Sequence, residues 1–594
     1  MKQVLKVYEE RLNNRRGSLK QLLRRLWIIG YLRGAIGLLI PATLWVAFVT
    51  HILSGWFALL PAIVFLVIHK HYDDGHQRLN RARRAVDFYE RGIARIEGRS
   101  IDNGGVTGAQ FADATHLYAW DLDILGKGSL FESLCTARTQ CGQETLARWL
   151  CRPAGRSEIL RRQQAIQELR DSIDLREELA VFGPEGSAIN FDVTTEWAHR
   201  PTLLPVGMLR VAAPFLAAFT VGAIALSFWF KIAMWIPALA VAVQLGFALR
   251  YRERVRDVTL SIGEPARELG LLNVPLQRLE RERFSSAKLC ELKDALMRGD
   301  CRASSRIHSF VGFATLLDYR RDPSVGLFLP ILFWSTQIAF AAESWRSKYG
   351  NVLKDWMAVV GEFEALSALA CYAFEHPENP FPTILEGGAG LDAKELRHPL
   401  IPQHEWVANS MSLGGELQLL IVSGSNMSGK STLLRTIGIN MVLALAGAPV
   451  CCKEFKCSPM QIGATLRVQD SLQKGISQFY AEIRRLKTIM NLAEEGVPVL
   501  FLFDEILHGT NSHDRAIGAE AVVRALVEYK AIGLVTTHDL ALARVADALE
   551  PRAMNVHFED HLENGEMIFD YRLHEGIIQK SNALELMRSI GLKV

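Results

Sequence analysis

One stretch, Gly424-Ser-Asn-Met-Ser-Gly429-Lys430-Ser431-Thr432, constrains the surrounding fold more than any other part of the 594-residue sequence. The apolar run 417–422 precedes it and reads as a strand. The helical pattern 433–445 follows it. Glycines at both ends let backbone N–H groups close around an anion, and the helix N-terminus adds its dipole. Lys430 is placed to reach β- and γ-phosphate oxygens, and the Ser431 hydroxyl to ligate magnesium. A chance glycine-rich turn needs neither the strand before it nor the helix after it.

Two further strand ends agree. Val499-Leu-Phe-Leu-Phe503 is apolar throughout, as a strand covered on both faces of a parallel sheet must be. It ends in Asp504-Glu505, where ligands bind in open α/β sheets. Asp504 is placed to hold magnesium, and Glu505 to orient and deprotonate an attacking water. Gly533-Leu-Val-Thr-Thr537 is a third such strand, ending in His538, a group able to contact the γ-phosphate or the water. Standing alone, a histidine there would be an ordinary strand-end residue; beside the other two motifs it reads as functional. From residue 391 onward, short apolar runs alternate with helical patterns, the signature of a doubly wound α/β domain.

The rest of the chain reads differently. A mean hydropathy of +0.11 with 49% hydrophobic residues points to membrane segments rather than to a larger core. Residues 34–68 contain no Asp, Glu, Lys or Arg. That is about twice the length of one bilayer crossing and far too long for the apolar part of a signal peptide. It reads as a helical hairpin. Arg24, Arg25 and Arg33 precede it; Lys70, Arg78, Arg81, Arg83 and Arg84 follow, which places both ends in the cytoplasm. A second apolar pair, 211–230 and 232–249, is split by Lys231 and flanked by Arg210 and by Arg250, Arg252, Arg254 and Arg256. Four spans result. A fifth uncharged stretch, 325–342, contains Ser335, Thr336 and Gln337 and reads instead as a buried soluble helix. Residues 264–298 read as one long amphipathic helix.

Net charge is only +3, so bulk charge argues neither for nor against nucleic acid. Nine scattered cysteines, including Cys451, Cys452 and Cys457, lack metal-ligand spacing and read as reduced thiols.

Taken together, these motifs resemble the ATPase of the MutS family of DNA mismatch-repair proteins. Asn426-Met427-Ser-Gly429-Lys430-Ser431-Thr432 resembles the family's Asn-Met-x-Gly-Lys-Ser-Thr. Asp504-Glu505-Ile-Leu-His-Gly509-Thr510 resembles its Asp-Glu-x-x-x-Gly-Thr, and Thr537-His538 its Thr-His. Arg397-His398-Pro399 and Val407-Ala408-Asn409 are similar to the entry into that domain; Gly576, Lys580-Ser581 and Gly591-Leu592 are similar to its closing helices. A weaker likeness, from Ser129 to Gln163 and again from Glu362 to Ala370, reaches the family's helical core.

The resemblance implies a Mg2+-dependent ATPase that works as a homodimer through its ATPase domains, with ATP bound by Gly424, Asn426, Met427, Gly429, Lys430, Ser431 and Thr432. It places Trp406 and Tyr571 at the adenine, with plain packing as the alternative for Trp406. Gly475-Ile-Ser477-Gln-Phe479 falls where family dimers insert a loop against the partner's nucleotide, so Ser477 is the candidate residue acting in trans; capping its own helix is the alternative. DNA enters as a partner by the same resemblance, and membrane lipid by the apolar pairs. The family's mismatch-reading and connector domains have no counterpart here. Phe88-Tyr89-Glu90 has the form of the reading motif but lies in a basic helix.

The organisation implied is an α/β P-loop (ABC-like) ATPase domain at 391–594, preceded by an α-helical core or lever region interleaved with transmembrane pairs. The segments are a basic N-terminal helix at 1–33, a transmembrane hairpin at 34–69, a cytoplasmic helical segment at 70–205, a second transmembrane pair at 206–250 and a lever- or clamp-like segment at 251–390. The expected location is the inner membrane, with the ATPase in the cytoplasm. Two functions compete: a membrane-anchored MutS-like ATPase that still engages DNA, and one repurposed for a membrane or protein-partner task. An ABC transporter is disfavoured because 470–486 holds no Leu-Ser-Gly-Gly-Gln signature.

Overall fold

The computed structural model describes residues 2–49, 55–99, 105–183, 188–205, 208–230, 235–297, 302–321, 332–425, 427–466, 478–507, 510–538, 540–563 and 566–577. These residues divide into two compact units. One comprises Met1–Thr136, Thr145–Val181 and Leu366–Val594; the other comprises Ala137–Glu144 and Phe182–Ala365.

In the first unit, helix α1 (Lys2–Phe48) packs antiparallel on α2 (Leu59–Ile96). The helix runs unbroken from the basic N-terminal residues into the apolar ones, so residue 33 is a change of composition and not a break in secondary structure. At the polar end the hairpin is pinned by buried contacts. Tyr8 stacks on Phe374, and its hydroxyl donates to Glu375 at 3.4 Å. Arg95 donates to both oxygens of Glu375, at 2.8 and 2.5 Å. Helix α3 (Ile173–Val181) joins through Glu177, which receives the Tyr89 hydroxyl at 2.6 Å, and through the fully buried Arg176, which donates to Cys371 Sγ at 3.2 Å. Phe88 and Tyr89 belong to this core, and Glu90 pairs with Arg16. The resemblance of this tripeptide to a base-reading motif is therefore one of sequence only: its aromatic rings face inward.

The second unit is helical. Helix α4 (Met208–Phe230) packs against α5 (Trp235–Ser261). The single amphipathic helix expected over 264–298 is two, α6 (Gly263–Arg281) and α7 (Ala287–Leu296). At the 282–286 break Ser286 takes the N-cap position of α7 with extended backbone, and Phe284 turns onto Phe363. Glu364 lies fully buried. It accepts from the backbone N–H of Arg138 at 2.6 Å and of Thr139 at 3.1 Å, just before the helix Gln140–Cys151, and also from the Thr139 hydroxyl. Burial pushes this carboxyl up to about 7 against those hydrogen bonds.

Among the described residues, three helices are long and apolar enough to cross a membrane: α1, Val211–Phe230 of α4, and α8 (Trp334–Glu375). They are not alike. In the most apolar stretch of each, 6%, 28% and 83% of the residues are buried within the protein, so α8 is covered by protein while α1 and α4 expose large apolar side chains. The return segments, 59–68 of α2 and 235–249 of α5, are also exposed and apolar. The expected break at Lys231 lies outside the described residues.

The C-terminal part of the first unit holds two sheets. Strands β1 (Thr383–Ile384), β2 (Gly390–Leu396), β3 (Asn409–Gly414) and β5 (Glu454–Cys457) form one in the order β1-β5-β2-β3. The other has the order β10-β9-β4-β8-β7-β6, from β4 (Leu419–Ser423), β6 (Gln461–Thr465), β7 (Val499–Asp504), β8 (Ile532–Thr537), β9 (Ala553–Glu563) and β10 (Glu566–Glu575). All its pairings are parallel except β9–β10. Helices α9 (Lys430–Ala446), α10 (Gln478–Glu494), α11 (Ser512–Glu528) and α12 (Leu540–Leu549) complete this part. Residues Val499 to Phe503 are almost fully buried, and each such side chain contributes roughly 1.5–3 kcal/mol of burial free energy.

The contacts at Glu375 generate a stability prediction. Glu375→Ala leaves Arg95 as a buried cation without its carboxylate, which costs about 3–5 kcal/mol. Thermal unfolding of the full-length protein should show a large fall in Tm for Glu375→Ala and a much smaller one for Asp174→Ala, whose ion pair with Arg11 is exposed.

Candidate functional site

Register places the site. Strands β4, β8 and β7 lie side by side and parallel, with Ser423 opposite Thr537 and Asp504 opposite Thr536. Their C-terminal ends are therefore level, and the loop that leaves β4 opens beside the carboxylates that end β7.

The loop is shaped by its glycines. Gly429 has φ +100, and a Cβ there would stand 3.0 Å from the Tyr571 ring. Glycine is thus required both by conformation and by the close approach of the aromatic side chain. Helix α9 begins at the next residue and ends at Gly447, φ +90, whose N–H closes the last turn on Ala444. Met427 also has positive φ, at +71, and is 85% exposed. Asn426 lies outside the described residues.

Lys430 is buried and turned back on its own loop: Nζ donates to the Gly424 and Ser425 carbonyls, each at 2.8 Å. Burial lowers its pKa, while Glu505, at 4.0 Å, and Asp504 oppose the shift. The Ser431 hydroxyl donates to Asp504 Oδ2 at 2.5 Å, and the Thr536 hydroxyl donates to Oδ1. Thr536 in turn accepts the Glu505 N–H at 3.1 Å. Glu505 sits at φ +49, just past the strand end, and its carboxylate lies 3.3 Å from His538 Nδ1. Thr536 was not singled out from the sequence; only the strand register reveals that its hydroxyl joins the two carboxylate residues.

Beside this cluster opens a cavity of about 740 Å3, lined by Trp406 and Tyr571 together with Gly429, Lys430, Ser431 and Thr432. The Trp406 indole donates to Ile401 O at 2.7 Å, and Arg397 lies over its ring. Tyr571 has φ +54 at the irregularity in the β9–β10 pairing. Asn409 fixes that turn from both sides, donating to Tyr571 O at 3.0 Å and accepting from Leu573 N at 2.8 Å. His398 also lines the cavity; burial, and then nearby Arg435, lower its pKa to about 4, so it is neutral at physiological pH.

The structure thus brings together Gly424, Met427, Gly429, Lys430, Ser431, Thr432, Asp504, Glu505 and His538, with Trp406 and Tyr571 on the adjoining wall. Ser477 lies outside the described residues; the helix expected after it is α10, which begins at Gln478.

The family model for MutS domain V matches residues 420–593. The "DNA mismatch repair protein MutS" of Staphylococcus aureus strain JH9 is 30% identical over 251 residues, which cover 41% of this chain and 28% of that protein; the strain Newman protein matches to the same extent. Over this C-terminal part the chain is similar to the MutS family. The chain covers under a third of the length of the relatives it matches. The MutS domain V match begins in β4, immediately before the glycine loop, and includes Lys430, Asp504, Glu505, His538 and Tyr571. Trp406 lies N-terminal to it.

Proposed function

We propose that the chain is a magnesium-dependent ATPase of the MutS type, held in a membrane by its apolar helix pairs and acting on DNA. The observation that carries this reading is the convergence of Lys430, Ser431, Asp504 and Glu505 at level strand ends beside a cavity with two aromatic side chains.

The donors suit the metal. Ser431 and Asp504 are two hard oxygen ligands already in contact, the kind of partial set that magnesium takes from protein while keeping water and phosphate oxygens. They would hold Mg2+, and the ion would supply positive charge to the phosphate oxygens. The remaining work falls to the chain itself. Lys430 exchanges two carbonyl acceptors for phosphate oxygens without leaving its position at the start of α9. Backbone N–H groups of the loop and the α9 N-terminus face the same anion. Glu505 takes the proton of the attacking water, and His538, whose Nδ1 lies 3.3 Å from the Glu505 carboxylate, contacts that water or the γ-phosphate. Trp406 and Tyr571 stack the adenine. In a dimer, Ser477 of each chain reaches the other's γ-phosphate and closes a site that the loop covers from one side only.

A second reading replaces DNA with a membrane or protein partner. It is favoured by the burial of Phe88 and Tyr89. It is favoured too by the basic residues of the clamp-like region, of which Arg278 and Lys288 are engaged with Glu282 and Glu362.

Two measurements follow. In a nucleotide-binding and turnover assay, Lys430→Ala should abolish ATP binding, while Glu505→Gln should keep binding and lose turnover by about 10²-fold or more. Normal turnover in Glu505→Gln would remove the assigned base. In mobility shifts with homoduplex, mismatched and branched DNA, the DNA reading expects affinity that falls steeply as salt rises. Absence of binding at low salt favours the membrane or protein-partner role.

A further inference from the structure

We infer that the polar end of the α1–α2 hairpin carries a binding belt for the headgroups of anionic phospholipids. The inference rests on the membrane reading above and adds to it a lipid class and the residues that select it.

The hairpin's own packing sets the levels. A Cβ on Gly75 would meet Leu26, one on Gly30 would meet Tyr72, and one on Gly37 would meet Phe65. In this antiparallel register Arg24 and Arg25 stand level with Arg78, and Lys20 with Arg81. Toward the apolar end lie Trp27, about one turn on, and Tyr31, about two turns on; their rings pack edge to face at 4.6 Å and they are 69% and 64% exposed. Tyr72 is at the height of Tyr31, with the Arg33 guanidinium 4.0 Å over its ring. Exposed Trp and Tyr within about one turn of each other on an apolar hairpin mark the band of the membrane–water interface. Arg24, Arg25 and Arg78 are then one helical turn, about 5 Å, to its polar side, at headgroup depth. Lys20 and Arg81 lie about one turn further out, still within a Debye length of roughly 8 Å.

Pairing within the protein changes along the hairpin. Deeper in the protein, Arg11, Arg15, Arg16 and Arg95 each hold a carboxylate: Asp174, Glu177, Glu90 and Glu375. At the belt this stops. Lys20, Arg24, Arg25, Arg78 and Arg81 are exposed and make no ion pair among the described residues. Two acids, Asp73 and Asp74, lie nearer the interface, and Asp73 faces His69 at 3.6 Å. The five cations therefore form a surplus beside an apolar surface that is itself uncovered by protein. Fixed anions at the depth of a lipid phosphate would complement that arrangement.

The test uses the full-length protein in phosphatidylcholine nanodiscs containing trace spin-labelled phosphatidylglycerol or spin-labelled phosphatidylcholine. Electron paramagnetic resonance reads the fraction of each label immobilised at the protein. The expected result is a preference for phosphatidylglycerol of about five-fold per cation in contact. It should weaken in 0.5 M salt, vanish when Lys20, Arg24, Arg25, Arg78 and Arg81 are all changed to Gln, and survive when the four arginines are changed to Lys. Equal immobilisation of both labels by the wild type overturns the belt but leaves the membrane reading standing. If neither label is immobilised, the membrane reading fails, and the belt with it. A Gln variant that keeps its lipid preference but loses affinity for duplex DNA also overturns the proposal, and assigns the cations to nucleic acid.

Discussion

Asp504 is the residue on which the candidate site depends. One oxygen receives the Ser431 hydroxyl and the other the Thr536 hydroxyl, so a single carboxylate ties the first turn of α9 to β7 and β8. The tie is possible only because those strands run parallel and end level. Lys430 reaches toward Glu505 from the next position along the same helix, and His538 meets Glu505 from the end of the neighbouring strand. The buried Lys430 ammonium is held by the Gly424 and Ser425 carbonyls of its own loop.

A second tie joins the α1–α2 hairpin to the same unit. The aromatic and ionic contacts around Glu375 bring the polar ends of α1 and α2 against the last turn of α8, a few residues before β1 begins the C-terminal sheets. The desolvation cost of burying Arg95 and Glu375 is offset only while both partners are present, so the contact holds one arrangement rather than a family of them. That places the α1–α2 hairpin and the glycine loop in one compact unit.

Much of this was legible in the sequence where period and chemistry coincide. The all-apolar run to Phe503, the glycine loop and the strand ending at His538 each announce their position, because a doubly wound sheet forces ligating residues to strand ends. The register that levels those ends was not legible, since strand pairing is non-local; Thr536 was missed for that reason. The sheet β1-β5-β2-β3 was hidden too, because its strands are short and their partners lie far apart in the chain. The break at 282–286 was hidden by amphipathic patterning that continues in phase on either side of it. The inward turn of Phe88 and Tyr89 depends on α1 and α3 packing over them, which no local pattern reports.

The claim at the centre of this account is that the loop 424–429 and the start of α9 receive a nucleotide's phosphates. Backbone hydrogen–deuterium exchange of the full-length protein, with and without ATP and Mg2+, tests it without requiring turnover. The account predicts strong slowing of exchange in peptides covering 424–436, with a smaller effect at 504–507, and loss of both changes in Lys430→Ala. Unchanged exchange across 424–436 at saturating ATP and Mg2+ would contradict it.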